Sequence, residues 1–157
     1  MAIASPHTTL ADEQQQIAAL VALMKQEQQL LIDADADGLA QLTPQKSKLV
    51  QQVAALASTR HRALGAAGFV AGESGMEPWL AVSGDAAFRA RWDALLELTR
   101  EAKELNRVNG MLINKQMAHT QNVLNALRPA SASADAGVYG ASGQTIAGGA
   151  SRRFVVG

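Results

Sequence analysis

The chain contains no cysteine, only 4% aromatic residues and a formal net charge of zero. The lack of cysteine excludes a disulfide framework and a thiolate metal site. A neutral chain gives no electrostatic reason to expect nucleic acid or an anionic membrane as partner. No apolar run approaches the roughly 18 residues of a membrane span, and the first residues lack the basic start and apolar core of a signal peptide. We therefore expect a cytoplasmic protein with no nucleic-acid partner and no direct membrane insertion.

Alanine and glutamine are abundant, which favours helices over strands. A first helix is predicted to begin near Thr9, with the Thr9 hydroxyl as its cap. Thr43 and Pro44 form a typical start for a second helix, although the weak turn before them also allows a start as early as Asp35. The predicted buried stripes are Ile17, Leu20, Val21, Met24 and Leu31 on the first helix, and Leu42, Lys46, Leu49, Val53, Leu56 and Arg60 on the second.

Residues 65–84 are rich in glycine, alanine and serine and are predicted to connect the second helix to a third long one. A short helix within this connector, near Glu77 to Val82, would place Trp79 and Leu80 against the core. The third long helix is predicted from Asp85 to about Leu127, because Pro129 follows. Its apolar seam alternates steps of four and three residues, and reads Phe88, Trp92, Leu95, Thr99, Ala102, Asn106, Asn109, Ile113, Gln116, Thr120, Val123 and Leu127.

The sequence thus predicts an all-α fold, an antiparallel up-and-down bundle or coiled coil of three long helices. The third helix is expected to be the longest, with a short connecting helix before it and a flexible C-terminal tail after it. We expect residues 1–128 to form the helical domain and residues 129–157, rich in alanine, serine and glycine, to form the tail.

The predicted helix lengths differ enough to matter. A third helix of roughly 43 residues spans about 65 Å, whereas helices of about 25 residues span about 38 Å. The third helix must then either extend past the other two or break near Gly110. In both cases part of its apolar face near Ile113 and Leu124 is expected to lack an intramolecular cover, and uncovered apolar faces commonly mark partner sites.

No motif in the sequence predicts catalysis, a cofactor or a metal site. Residues 33–38 read like the start of a calcium-binding loop, but its twelfth position, which must supply a bidentate carboxylate, is Pro44. The three histidines lie far apart, and Ser142 stands among glycines without an identifiable base. An acidic turn between helices and a protein that is not an enzyme are the expected outcomes.

Asn106, Asn109 and Gly110 are poor helix formers inside a strong helical pattern. Polar residues on a coiled-coil seam usually fix the register or the oligomeric state at some cost in stability. Direct contact of these amides with a partner is the other interpretation, and the sequence leaves both open.

The chain resembles the FlgN family of flagellar type III export chaperones in three pieces that occur in the expected order. These pieces are residues 30–50 followed by Arg60, residues 92–113 followed by Leu124 and Leu127, and residues 139–144. The resemblance implies an all-helical chaperone that holds a terminal helical segment of hook-associated (hook–filament junction) proteins. It also implies that the chaperone prevents their premature assembly and delivers them to the export gate and ATPase apparatus at the membrane.

The resemblance places most of the cargo contact in the C-terminal third, as the length argument does for the uncovered face. The predicted partner-binding residues are Asn109, Leu112, Ile113, Met117, Val123, Leu124, Leu127 and Tyr139. Two other classes stay open at this point. One is a structural coiled-coil adaptor that acts by self-association only, and the other is a nucleic-acid-binding bundle, which the neutral charge and the few aromatic residues disfavour.

Overall fold

The computed structural model describes residues 4–128, and all four α-helices lie in this range. They are α1 (Leu10–Ile32), α2 (Ala36–Ala66), α3 (Met76–Ser83) and α4 (Ala86–Ala126), with a 3-10 turn at Glu73–Gly75 before α3. The described part of the chain contains no strand. The all-α prediction is therefore confirmed, as are the short connecting helix and the third long helix as the longest. The predicted flexible tail lies outside the described residues.

The three long helices run up, down and up. Contacts between α1 and α2 pair high residue numbers with low ones, because Glu13 meets Arg60 and Glu27 meets Lys46. Contacts between α1 and α4 instead keep a constant offset, since Asn109 reaches the carbonyl of Met24 and Gln116 reaches the carbonyl of Leu31. Helices α1 and α2 are thus antiparallel, while α1 and α4 are parallel.

Most of the predicted α1 stripe and of the N-terminal half of the α4 seam form one core, against which Leu49 and Val53 of the α2 stripe pack. Leu31 and Leu42 are buried outside this core. Helix α1 contributes Ile17, Leu20, Val21 and Met24 to this core, where they pack with Leu64 of α2 and with residues of α3 and α4. The other buried members of the core are Leu10, Met76, Trp79, Leu80, Trp92, Leu95 and Ala102. The predictions for Trp79 and Leu80 are confirmed. Trp92 is buried and Phe88 is partly buried, with its ring centroid 4.0 Å from that of His7.

The predicted start of α2 at Thr43 is wrong, and the alternative start at Asp35 is correct. Asp35 is the N-cap, and its carboxylate accepts a hydrogen bond of 2.9 Å from the backbone N–H of Gly38. Pro44 consequently lies inside α2, where the helix lacks one backbone donor. The position tolerates this loss because Pro44 and the neighbouring Ala40 are exposed, so that the free carbonyl of Ala40 meets water.

Thr9 is the N-cap residue of α1 as predicted, but its hydroxyl does not cap a backbone N–H. The hydroxyl instead donates to the carboxylate of Glu13 at 2.7 Å. The carboxylate of Glu13 is buried and requires such donors, because burying a charge without partners is costly.

Helix α4 continues through Gly110 without a break, so the predicted alternative of a helix broken there is wrong. The chain divides into two units, residues 1–116 and residues 117–157. All residues of the second unit that the structure describes, 117–128, are exposed.

Candidate functional site

Two buried polar layers join the long helices of the first unit. In the first layer, the guanidinium of Arg60 lies against the carboxylate of Glu13 through two hydrogen bonds of 2.9 and 3.1 Å. Both side chains are only 2% exposed. The same guanidinium lies 4.7 Å from the ring centroid of Trp92, so α4 also contacts this layer.

The second layer centres on Glu27 of α1. Its carboxylate accepts hydrogen bonds of 3.0 Å from Lys46 of α2 and of 2.8 Å from the amide of Asn109 of α4. The Asn109 amide also donates to the carbonyl of Met24 at 2.9 Å. One carboxylate therefore connects all three long helices.

The first layer extends to the surface through Glu73. Its carboxylate accepts a hydrogen bond of 2.7 Å from Arg60 and lies 2.8 Å from Nε2 of His61. Burial by itself raises the pKa of Glu73, but the hydrogen bonds and charges of Arg60 and His61 outweigh it and lower the pKa. Burial likewise lowers the pKa of Arg60, yet its two carboxylate partners raise it above the ordinary value, so Arg60 stays charged.

Sequence reasoning missed Glu13 and Glu27 as members of this core. The signal was present, because both fall on the four-and-three spacing of the α1 stripe together with Ile17, Leu20 and Met24. A carboxylate on an apolar stripe indicates a buried partner of opposite charge on a neighbouring helix. The stripe of α2 contained those partners, Lys46 and Arg60.

The seam of α4 consists of two rows in steps of seven residues. The first row is Phe88, Leu95, Ala102, Asn109, Gln116 and Val123, and the second is Trp92, Thr99, Asn106, Ile113, Thr120 and Leu127. The first row is buried from Leu95 to Asn109, and the amide of Gln116 still donates to the carbonyl of Leu31. In the second row, exposure rises from 3% at Trp92 to 73% at Leu127.

The exposed apolar residues at the C-terminal end of α4 are the feature that the length argument predicted. Ile113, Met117, Val123, Leu124 and Leu127 are all exposed, and Leu112 is half-buried. We call the four of these residues that lie in the second unit, Met117, Val123, Leu124 and Leu127, the α4 end face. Residues 112–127 contain one lysine, Lys115, and no acidic residue.

Asn109 does not belong with the predicted partner-binding residues. Its side chain is 1% exposed, and both amide protons are used inside the bundle. A partner has no access to this amide, so the packing interpretation is correct for Asn109. Asn106 is exposed, and Tyr139 lies outside the described residues.

The calcium-like segment is a turn between α1 and α2. Ala34 adopts a left-handed conformation with φ of 54°, and Asp35 is used as the N-cap of α2. Within residues 4–128, no three side chains of histidine, aspartate or glutamate converge as metal ligands. The helices of this same range include none that is both long and apolar enough to cross a membrane.

These observations define a helical bundle with polar layers in its core and an exposed apolar helix face, a surface of the kind that binds other proteins. The sequence pattern of the family described as FlgN protein matches residues 1–146. The chain belongs to the FlgN family, whose members are flagellar export chaperones that bind flagellar substrates and are not known as enzymes. Comparisons with curated proteins and with solved structures gave no match.

Proposed function

We propose that this protein is a cytoplasmic chaperone for hook-associated proteins, which are the proteins of the hook–filament junction. It binds their terminal helical segment, prevents premature assembly and delivers them to the type III export gate and its ATPase apparatus. Membership of the FlgN family supports the chaperone role in general. The choice of cargo and the delivery step are inferences that go beyond the family.

The observation that carries the proposal is the α4 end face. The spacing that buries Leu95 and Ala102 continues unchanged to Leu127, but the side chains there are exposed. An amphipathic cargo helix could lay its apolar stripe along this face, as helices do in other groove and coiled-coil complexes. Covering the stripe of the cargo would also keep cargo molecules from associating with one another. Tyr139 remains a predicted additional contact from the tail.

The experiment compares two doubly substituted full-length proteins with the same added charge. Met117→Glu with Leu124→Glu places two carboxylates on the α4 end face, while Asn122→Glu with Asn125→Glu places two on the opposite side of the same helix. All four positions are exposed, so the bundle is expected to fold in both variants. Binding of a terminal helical segment of a hook–filament junction protein is measured by titration calorimetry.

We expect a 1:1 complex with the unchanged protein, at least tenfold weaker binding by the first variant, and binding within about twofold by the second. Deletion of residues 129–157 is expected to weaken binding as well. Equal binding by both double variants would show that cargo lies elsewhere.

A coiled-coil adaptor that acts only by self-association is the second candidate, because the same exposed face could pair with a second copy. It predicts concentration-dependent self-association in sedimentation equilibrium and no retention of the junction segment. The substitutions at Met117 and Leu124 would then abolish the self-association.

A further inference from the structure

The pair Asn109–Gly110 combines two residue types that react with each other. Asparagine is a thermolabile residue, and a following glycine has no side chain to hinder its backbone nitrogen. The asparagines of this chain all lie in α4, and Asn109 is the one that a glycine follows. Among residues 4–128, nothing outside the local helix lies within 4 Å of a methyl group added at Gly110, so packing does not explain this glycine.

The reaction open to this pair is the loss of the side-chain amide. The backbone nitrogen of Gly110 attacks the side-chain carbonyl carbon of Asn109, so that a new C–N bond forms and a cyclic imide results. The bond to the side-chain nitrogen breaks, and this nitrogen leaves as ammonia with the proton of the backbone N–H. Water then opens the imide at one of its two carbonyls. The product is aspartate, or isoaspartate in which the backbone continues through the side chain.

The folded protein keeps the two reacting groups apart. Inside the continuous helix α4, the N–H of Gly110 points along the helix axis to the carbonyl of Asn106. The side-chain amide of Asn109 is instead held by Glu27 at 2.8 Å and by the carbonyl of Met24 at 2.9 Å. Asn109 is also 1% exposed, which keeps water away from it. The reaction therefore requires α4 to leave α1 and to lose its helical conformation at Gly110.

The product does not fit the site that the amide occupies. An aspartate at position 109 would place a carboxylate oxygen against Glu27, and Lys46 would then face two carboxylates. Two like charges in contact at a buried site disfavour each other. No residue in 4–128 donates a hydrogen bond to Oδ1 of Asn109, so turning the side chain would not supply a donor. Isoaspartate would in addition lengthen the backbone inside α4. Both products thus weaken the second polar layer, which centres on Glu27.

We propose that Asn109–Gly110 is a deamidation site whose reactivity is controlled by the docking of α4 against α1. The fold protects the pair as long as the second polar layer is intact. A chain in which this layer stays open gains a negative charge at position 109 and afterwards docks α4 less well. The modification is therefore a lasting chemical record that α4 has been released. The residues involved lie within the first unit, so the proposal does not depend on the proposed cargo.

The test incubates the full chain at neutral pH, either folded or unfolded in urea. A short tryptic digest yields the peptide of residues 108–115, and mass spectrometry with fragmentation measures the conversion of amide to acid. This peptide also contains Asn114, which a lysine follows, as an internal control. We expect Asn109 to deamidate at least tenfold faster in urea than in the folded protein. In urea it is also expected to react at least tenfold faster than Asn114.

Three variants separate the chemistry from the fold. Gly110→Ala hinders the attacking nitrogen, and Asn109 is expected to deamidate at least fivefold more slowly in urea. Glu27→Ala removes an acceptor of the Asn109 amide but leaves the reacting pair unchanged. Without urea it is expected to deamidate at least threefold faster than wild type. Glu97→Ala removes an exposed carboxylate that pairs with Arg100 within α4, and its rate is expected to equal that of wild type.

Asn109→Asp carries the side chain of one product and tests the consequence of the reaction. It is expected to unfold at a lower urea concentration than Asn109→Ala, because it adds a carboxylate beside Glu27 and also removes the donor.

Equal rates at Asn109 in the folded and the unfolded protein would overturn the proposal, as would equal rates at Asn109 and Asn114 in urea. An unchanged rate in Glu27→Ala, or an Asn109→Asp protein as stable as wild type, would do the same. The first two comparisons need no substitution, so they decide the question even if Glu27→Ala does not fold.

Discussion

Asn106 and Asn109 show how differently two identical side chains can act three residues apart. Asn109 is buried and binds both Glu27 and the carbonyl of Met24, whereas Asn106 is exposed. The cost of asparagine in a helix is therefore offset by hydrogen bonds at Asn109 only. The sequence indicated that both amides are unusual in a helix. Which of the two is buried for packing could not be predicted, because that depends on which one faces an acceptor on a neighbouring helix.

Asn109→Ala is expected to lower the free energy of unfolding by about 1–3 kcal/mol, because Glu27 and the Met24 carbonyl lose a buried donor. Asn106→Ala is the matched control, and is expected to change the stability by no more than about 0.5 kcal/mol. Urea denaturation monitored by circular dichroism measures both values. A similar loss of stability in the two variants would contradict the role assigned to Asn109.

At the scale of elements, α4 is continuous although it contains Gly110 near its middle. A methyl group added at Gly110 would meet no atom within 4 Å outside the local helix. The structure thus shows no steric need for glycine there. Gly75 is the opposite case, since an added methyl group would lie 2.0 Å from the carbonyl oxygen of Val70.

Gly110→Ala is accordingly expected to raise the free energy of unfolding by about 0.5–1 kcal/mol, because alanine loses less backbone entropy in a helix. The same substitution at Gly75 is expected to lower it. Thermal and urea unfolding of the two single variants measure both effects. A destabilised Gly110→Ala protein would contradict the conclusion that alanine fits at this position without a clash.

The element boundaries divide into those that the sequence predicts and one that it does not. The bounds of α1, α3 and α4 follow from their apolar periodicity and from Pro129. The start of α2 does not follow from these features. Thr43 and Pro44 are typical of a helix start, but the helix begins eight residues before Pro44, at Ala36. The earlier start places Leu42 inside the helix, where its side chain is buried. This tertiary contact is not visible in the residues next to Pro44.

At the scale of the whole molecule, the charges that connect the elements are sensitive to acid. The pKa of Glu73 is lowered in the folded protein despite its partial burial, because Arg60 and His61 favour the carboxylate. A lowered folded pKa contributes stability above the unfolded value of about 4.3, and that contribution is lost as the pH falls through the folded pKa.

Wild type is therefore expected to be more stable than Glu73→Gln at pH 6, and this difference is expected to shrink at pH 3. Urea denaturation of both proteins at the two pH values measures the change. Glu97→Gln removes an exposed carboxylate that pairs only with Arg100 three residues away, and it is expected to show a smaller dependence on pH. A difference between wild type and Glu73→Gln that stays constant with pH would contradict the assigned role.

The fold class and the exposed end of α4 could be predicted because both depend on periodicity and length, which a single sequence contains. The ion pairs of Glu13 and Glu27 could not be predicted in the same way, because the sequence contains their partners Arg60 and Lys46 but does not show which helices pack together.

The two polar layers also determine how the helices can align during folding. Glu13 and Glu27 are two heptads apart on α1, and Lys46 and Arg60 are two heptads apart on α2. A slip of α2 by one heptad would preserve much of the apolar contact, but it would move Arg60 opposite Leu20 and leave both carboxylates without cations. A misaligned pairing of α1 and α2 thus leaves two buried carboxylates without partners, so the buried charges favour a single alignment of these helices.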